Sequence, residues 1–143
     1  MRFTEPNEDF RHEHQNVRVE NGVQFGDLEQ FLDYDYIANV ARVNAAALAA
    51  LANGPAAPQN VKVEASTLST DTQLEWTANT EPDLAGYEIV YRDTTEPFWS
   101  HVIKVGNVTS FTVKNITKDN FLFGVRAVDT DGNRSVVTFP VPK

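Results

Sequence analysis

One stretch of sequence decides the fold of this chain, Phe121-Leu-Phe-Gly-Val-Arg-Ala-Val128 followed by Asp129-Thr-Asp-Gly-Asn133. Its alternate apolar positions are Phe121, Phe123, Val125 and Ala127. Residues two apart point to the same side of a strand, so one side of the predicted strand is fully apolar. Gly124 and Arg126 face the other way. The stretch therefore predicts a central strand of a two-layer β domain.

The residues after this strand are typical of a turn, because Gly132 accepts positive φ and the Asp and Asn side chains bond their own backbone. The same cluster offers some of the oxygen ligands of a calcium loop, but the other EF-hand positions are missing. We interpret it as a turn. Strand patterns recur along the second part of the chain at a spacing typical of a β-sandwich. The predicted strands are 60–65, 72–77, 86–92, 101–105, 110–115, 121–128 and 135–139.

The composition of the chain argues against several classes of function. The 143 residues carry 20 acidic and 12 basic side chains, for a net charge of −8. This balance argues against binding of nucleic acid or of an anionic membrane. The chain has no cysteine, so it has no disulfide and no thiolate metal site. The first residues lack the apolar core of a signal peptide, and no apolar run approaches membrane-spanning length. We expect the chain as given to be soluble, with any export signal of a longer precursor lying upstream.

The amino-terminal part is different in character. Residues 1–33 are polar and irregular, and a short apolar alternation on either side of Asn21-Gly22 predicts a small hairpin. An amphipathic helix is predicted over 35–52, capped by Asp33 or Asp35. Its predicted apolar stripe is Ile37, Val40, Ala41, Leu48 and Leu51. Because its polar face carries Arg42 alone, we interpret it as a helix packed on protein rather than on a membrane.

The helix is predicted to end at Asn53-Gly54-Pro55, where a residue tolerant of left-handed backbone precedes a helix breaker. Pro55-Ala-Ala-Pro58 then forms a stiff connector, because each Pro fixes φ. We place the domain boundary there. Residues 1–54 are the arm and helix, and residues 55–143 are the β domain.

Four features of residues 55–143 belong together: Pro58, Leu74-Glu-Trp76, Gly86-Tyr-Glu-Ile-Val-Tyr-Arg92 and the stretch from Phe121 to Asp129. In these motifs, residues 55–143 resemble a fibronectin type III domain. The resemblance implies a mainly β, seven-stranded, immunoglobulin-like sandwich with Trp76 as a wedge between the sheets. It implies no catalysis. Phe121 occupies the position at which the family usually has the tyrosine of the tyrosine corner, whose hydroxyl bonds to the preceding loop. Phe121 has no hydroxyl, so its packing against Ile116 would have to replace a hydrogen bond worth about 1 kcal/mol.

Two surface features of this domain need interpretation. Phe98 and Trp99 lie in a predicted loop, where they could contact protein or carbohydrate or could simply pack at a strand edge. The sequons Asn107-Val-Thr109, Asn115-Ile-Thr117 and Asn133-Arg-Ser135 indicate surface positions only if the host glycosylates.

The remaining candidate for chemistry is Phe10-Arg-His-Glu-His-Gln-Asn16. His12 and His14 lie on one side of an extended chain and could both reach one metal, although isolated His-x-His is a common chance pattern. No Ser-His-Asp set, phosphate loop or paired-carboxylate motif stands out.

The context of these histidines, residues 2–18 followed by Gly22-Val-Gln-Phe-Gly-Asp-Leu28 and the alanine-rich helix, resembles the carboxy-terminal end of metallopeptidase family 28. These are di-zinc aminopeptidases and related carboxypeptidases, and some bacterial members carry a fibronectin type III domain after the closing helix. The resemblance implies His12 as a zinc ligand, with His14 the less favoured alternative. Asn16 stands where the family usually has an acid. The other ligands and the general-base Glu have no counterpart in this chain.

We therefore expect a carboxy-terminal fragment of a zinc exopeptidase with a non-catalytic accessory domain. The parent enzyme would bind zinc and a peptide substrate and, by resemblance, would be extracellular or periplasmic. This chain alone would hold no zinc and no catalytic residue, because catalytic zinc needs three or more ligands. The alternative is a stand-alone fibronectin type III interaction module without enzymatic function. We expect neither nucleic acid nor membrane as a partner of either.

Overall fold

A computed structural model describes residue 4 and residues 6–143. Arg2, Phe3 and Glu5, which belong to the stretch that resembles the peptidase family, lie outside the described residues. The chain divides into a compact unit that ends at Ala47 and a compact unit that spans Leu48–Lys143. Among the described residues, no helix has the length and apolar character of a membrane span.

The first unit contains the predicted hairpin. Strands β1 (Arg18–Glu20) and β2 (Val23–Phe25) pair antiparallel. Asn21 and Gly22 connect them at φ 51° and 78°. Positive φ at both turn residues matches the twist of the flanking strands, so the prediction of a hairpin at this dipeptide is confirmed. A short 3-10 turn follows at Glu29–Phe31.

Helix α1 spans Tyr34–Asn53, one residue longer at each end than predicted. Asp33 is its cap, because the Asp33 Oδ1 accepts a hydrogen bond of 2.9 Å from the Tyr36 amide. The helix ends at Asn53, within the segment that predicted its end, although neither Asn53 nor Gly54 adopts the left-handed conformation that they tolerate. Gly54 is instead required for space, because a Cβ there would lie 2.7 Å from the Arg134 carbonyl oxygen.

The second unit is the β-sandwich. The strands of the sandwich are β3 (Gln59–Val63), β4 (Thr72–Thr77), β5 (Leu84–Asp93), β6 (His101–Gly106), β7 (Ser110–Val113), β8 (Phe121–Asp129) and β9 (Val141–Pro142). One sheet has the order β7-β4-β3-β9 and the other has the order β6-β5-β8. The last strand pairs parallel with β3 and was not predicted.

The predicted strand 135–139 was wrong as a continuous strand. Ser135 and Thr138 bond to β8 at Ala127 and Val125, so this segment advances three residues while β8 advances two. The Ser135 hydroxyl also accepts a hydrogen bond of 2.9 Å from the Ala127 amide. The Ser135 hydroxyl and the extra residue in this segment interrupt the ladder of backbone hydrogen bonds to β8, as a β-bulge does. Only isolated bridges to β8 are formed.

The core lies between the two sheets and contains Phe123, Val125 and Ala127, three of the four residues that alternation assigned to the apolar side of β8. Its members are Val61, Val63, Leu74, Trp76, Tyr87, Ile89, Val113, Phe123, Val125 and Ala127. Trp76 meets Tyr87 edge to face at 5.3 Å, which confirms Trp76 as the wedge between sheets. Phe121 is only partly buried, at the edge of this core.

The corner that lacks a tyrosine hydroxyl has a different hydrogen bond. Phe121 packs edge-on against Tyr91 at 5.6 Å, and Ile116 packs against the same core. The fully buried Thr72 donates a hydrogen bond of 2.7 Å from its hydroxyl to the Ile116 carbonyl oxygen. A threonine on β4 thus satisfies a backbone acceptor of the loop before β8, at a position that the sequence did not suggest.

Candidate functional site

The side chain of His12 is held by neighbouring residues of the first unit. Its imidazole ring stacks on the Phe31 ring, with centroids 3.5 Å apart and planes 7° from parallel. Its backbone amide donates a hydrogen bond of 2.9 Å to the Asp9 carbonyl oxygen, and its Nδ1 lies 3.6 Å from Asp9 Oδ2. The side chain is 25% exposed. The ring is therefore held on one face and along one edge.

Asp9 is itself fixed by Arg11, which donates from Nε to Asp9 Oδ1 at 2.8 Å. The hydrogen bonds and charge of Arg11 hold the pKa of the Asp9 carboxyl well below its ordinary value. Arg11 thus favours the ionised form of Asp9. A carboxylate beside one imidazole nitrogen orients the ring and leaves the other nitrogen for a ligand.

His12 faces a cleft of about 490 Å³ in the first unit. Three further carboxylates line it, from Glu8, Glu13 and Asp33. Its apolar wall is formed by Phe31, Leu32, Tyr36 and Ile37. The cleft thus combines a held imidazole, negative charge and an apolar wall, which suits a cationic group attached to an apolar one.

His14 is placed quite differently. Its side chain is 92% exposed, and its Nε2 lies 3.8 Å from the carboxylate of the neighbouring Glu13. Its backbone has φ 52°, a left-handed conformation that breaks the extended geometry assumed for a shared His-x-His site. The structure therefore does not bring His12 and His14 together on one side of the chain. Asn16, four residues after His12, is exposed.

The described residues do not fit a complete zinc site. Residue 4 and residues 6–143 contain no group of three or more His, Cys, Asp or Glu side chains that could hold a metal ion. Catalytic zinc is held by three protein ligands in fixed geometry. His12, with Asp9 behind it, offers one such ligand.

The neighbouring aromatic residues Phe98 and Trp99 of the second unit differ in their surroundings. Trp99 packs against Phe139 with ring centroids 5.3 Å apart, and the Arg92 guanidinium lies 5.4 Å from the centre of the indole ring. Phe98, by contrast, is 79% exposed. Trp99 therefore packs against its own domain, as one of the two interpretations of the sequence has it, whereas the Phe98 side chain is accessible to a partner.

The sequence did not single out a charged cluster on the outer face of the β6-β5-β8 sheet. Glu88, only 2% exposed, lies 2.7 Å from Arg126 and 3.1 Å from Arg134. Glu88 lies opposite Tyr87 and Ile89 in the alternation of β5, and it is buried because Arg126 and Arg134 cover it. Asp9 and Phe31 were also missed, because no local pattern links them to His12.

Curated relatives match nearly all of this chain. A protein of Pyricularia oryzae described as a probable zinc metalloprotease is 51% identical over 146 residues, covering 99% of this chain and 29% of its own length. A protein of Pyrenophora teres f. teres with the same description is 44% identical over 142 residues, with the same two coverages. The chain thus spans 29% of the length of these relatives.

The β domain also matches on its own. The solved structure of chicken CNTN1 FN1-FN3 domains gives a TM-score of 0.48 at 22% identity, covering 60% of this chain and 31% of that one. A family model for the fibronectin type III domain matches residues 56–141, more than half of the 143 residues. This chain belongs to the fibronectin type III domain family.

Proposed function

We propose that this chain is the carboxy-terminal part of a zinc-dependent exopeptidase of the aminopeptidase type, with residues 55–143 as a non-catalytic accessory domain. The observation that carries the proposal is 51% identity, over 99% of the chain, to a much longer protein described as a probable zinc metalloprotease. Residues 1–54 would then be the end of its peptidase domain, and the parent would be an exported protein, extracellular or periplasmic.

Within this proposal His12 is one zinc ligand of the parent enzyme. Three features support this role over His14: the ring of His12 is stacked on Phe31, it lies beside the carboxylate of Asp9, and it faces a cleft. The other ligands would come from the part of the parent outside this chain. The carboxylates of Glu8, Glu13 and Asp33 would favour the positively charged amino terminus of a peptide substrate.

The test uses the full-length parent and three single variants, His12→Ala, His14→Ala and His101→Ala. These are the three histidines of this chain. We expect His12→Ala to remove most of the zinc and most of the aminoacyl-substrate hydrolysis, because one lost ligand weakens both. His14→Ala should act mildly. His101, which stacks on Tyr91 in the β domain, is the matched control and should leave both unchanged.

Two outcomes would contradict this assignment. Activity that survives His12→Ala but is lost in His14→Ala would make His14 the ligand. Tight one-to-one zinc binding by the isolated 143-residue chain in calorimetry would contradict a site completed from elsewhere, since a lone imidazole binds zinc too weakly for that.

A second function, a stand-alone fibronectin type III interaction module, is favoured by one observation, the 79% exposure of Phe98. An exposed aromatic ring next to the packed Trp99 could contact a protein surface or stack on a sugar ring. If the chain works in this way, Phe98→Ala should abolish binding in a screen of glycans and cell-surface proteins, while Val136→Ala, also at an exposed apolar residue, should not.

A further inference from the structure

The turn between β6 and β7 presents one of the three sequons in an accessible form. Gly106 has φ 70° and its carbonyl oxygen accepts a hydrogen bond of 3.1 Å from the Val108 amide, which makes the turn tight. Asn107 and Thr109 are both exposed. The Thr109 carbonyl oxygen accepts from the Trp76 amide at 2.9 Å and anchors the turn to β4. Across the described residues, the Asn107 amide and the Thr109 hydroxyl have no hydrogen-bond partner.

The other two sequons are used by the fold. Asn133 donates from Nδ2 to Asp129 Oδ2 at 2.9 Å. Its third residue, Ser135, is 8% exposed, and its hydroxyl is occupied by the Ala127 amide and the Val136 carbonyl oxygen. In the remaining sequon, the Thr117 hydroxyl donates to Asp119 at 2.9 Å. A glycan transferase needs both the amide and the hydroxyl of a sequon, so these two are poorer acceptors than Asn107.

The position of Asn107 in the sandwich gives a glycan there a physical effect. Strand β6 is the edge of one sheet and β7 is the edge of the other. Edge strands present unpaired amides and carbonyls to which another chain can add. Both edges meet at this turn, and Val102 on β6 is 48% exposed. A bulky, soluble group on Asn107 would stand beside both edges and hinder strand addition.

We propose that Asn107 is the acceptor of an N-linked glycan that shields the β6 and β7 edges. In the transfer, Asn107 Nδ2 forms a bond to C1 of an oligosaccharide carried on a polyprenyl pyrophosphate. The bond from C1 to the pyrophosphate oxygen breaks, the lipid pyrophosphate leaves, and the amide loses one proton to a base. No redox change occurs. The inference rests on the export included in the proposed function, and it is independent of His12 and of zinc.

The test supplies the export route, so its failure is distinct from a failure of the peptidase proposal. The full 143-residue chain, fused to a secretion signal, is secreted from a yeast and mapped by peptide mass spectrometry before and after endoglycosidase treatment. We expect a glycan at Asn107. N107Q and T109A should each remove it, because one lacks the acceptor and the other lacks the hydroxyl needed for recognition. N115Q is the matched control and should keep it.

The shielding is measured on the same samples. Glycosylated chain, endoglycosidase-treated chain and N107Q are compared by light scattering during incubation at equal concentration. We expect the two samples without the Asn107 glycan to aggregate faster than the glycosylated chain, with unchanged far-ultraviolet circular dichroism. Secreted chain without a glycan at Asn107 would overturn the acceptor assignment. Equal aggregation with and without the glycan would overturn the shielding.

Discussion

The two units of the chain differ in how far their apolar side chains are buried. In Leu48–Lys143 the facing sides of two sheets close on each other, and residues such as Ile89 and Val125 are fully buried. In the described part of the unit that ends at Ala47, Gly26 is the only buried residue, while Val19 and Ile37 are 68% and 47% exposed. The sandwich contains both halves of its core. In the proposed function, the exposed apolar residues of the arm and helix would form one half of an interface with the rest of the parent.

The largest expected effect is in the core of the sandwich. Trp76→Ala removes the wedge between the sheets, and a cavity of this size should lower the free energy of unfolding by about 3–5 kcal/mol. The same truncation at Ile37, which is 47% exposed, should change it by no more than about 0.5 kcal/mol. Urea unfolding of the full chain measures both, when the sandwich is followed by the fluorescence of Trp99 and the helix by far-ultraviolet circular dichroism. Similar losses in the two variants would contradict the contrast between the units.

The next effect comes from the buried charge on the outer face of the sandwich. Burial alone would raise the pKa of the Glu88 carboxyl, but the hydrogen bonds and charges of Arg134 and Arg126 outweigh it and the pKa lies below its ordinary value. Glu88→Gln leaves Arg126 without its countercharge and should cost about 2 kcal/mol at neutral pH.

The pH dependence of this cost has a definite sign. A carboxyl with a lowered pKa in the folded state stabilises it above the unfolded pKa, about 4.3, and this contribution is lost as pH falls through the folded pKa. The difference between wild type and Glu88→Gln should therefore shrink on acidification. Urea unfolding at a series of pH values gives this difference directly. A difference that grew towards low pH would show that Glu88 is protonated in the native state.

A smaller effect is expected at the corner before β8. Thr72→Val keeps the shape of a fully buried side chain but removes the hydroxyl that donates to the Ile116 carbonyl oxygen. The loss should be about 1–2 kcal/mol, because a buried acceptor is left unsatisfied. Thr112→Val on the neighbouring strand β7 is the control and should change stability little. Equal effects of the two substitutions would mean that the hydroxyl of Thr72 does not substitute for the tyrosine corner.

The sandwich could be predicted because its signals are local. Alternation in 72–77 and 121–128 assigns each side chain to one face, and the structure places these strands at Thr72–Thr77 and Phe121–Asp129. The prediction failed where a side chain competes with the backbone, as Ser135 does for the Ala127 amide. It also missed Val141–Pro142, whose pairing with β3 connects residues far apart in sequence.

The candidate site was less predictable for a related reason. Residue type and family resemblance selected His12, but its position depends on Asp9 and on Phe31, which follows the hairpin. Phe31 lies nineteen positions after His12 in the sequence. No local sequence pattern predicts that its ring stacks on the imidazole of His12. The buried Glu88 was missed because its burial depends on Arg126 and Arg134 from other segments.

The smallest effect expected in the 143-residue chain tests the exposed apolar face of helix α1. Ile37 and Leu48 belong to the predicted apolar stripe of α1 and are 47% and 67% exposed. In the 143-residue chain, replacing both with Gln should change the free energy of unfolding by no more than about 0.5 kcal/mol and should lower any self-association seen in sedimentation velocity. In the full-length parent, where we propose that this face is buried, each replacement should cost about 1.5–3 kcal/mol. An equal, small effect in both proteins would mean that the helix face packs on nothing in the parent. A large effect in the short chain would instead mean that the chain covers this face itself, and the amino-terminal unit would then be more than the end of a larger domain.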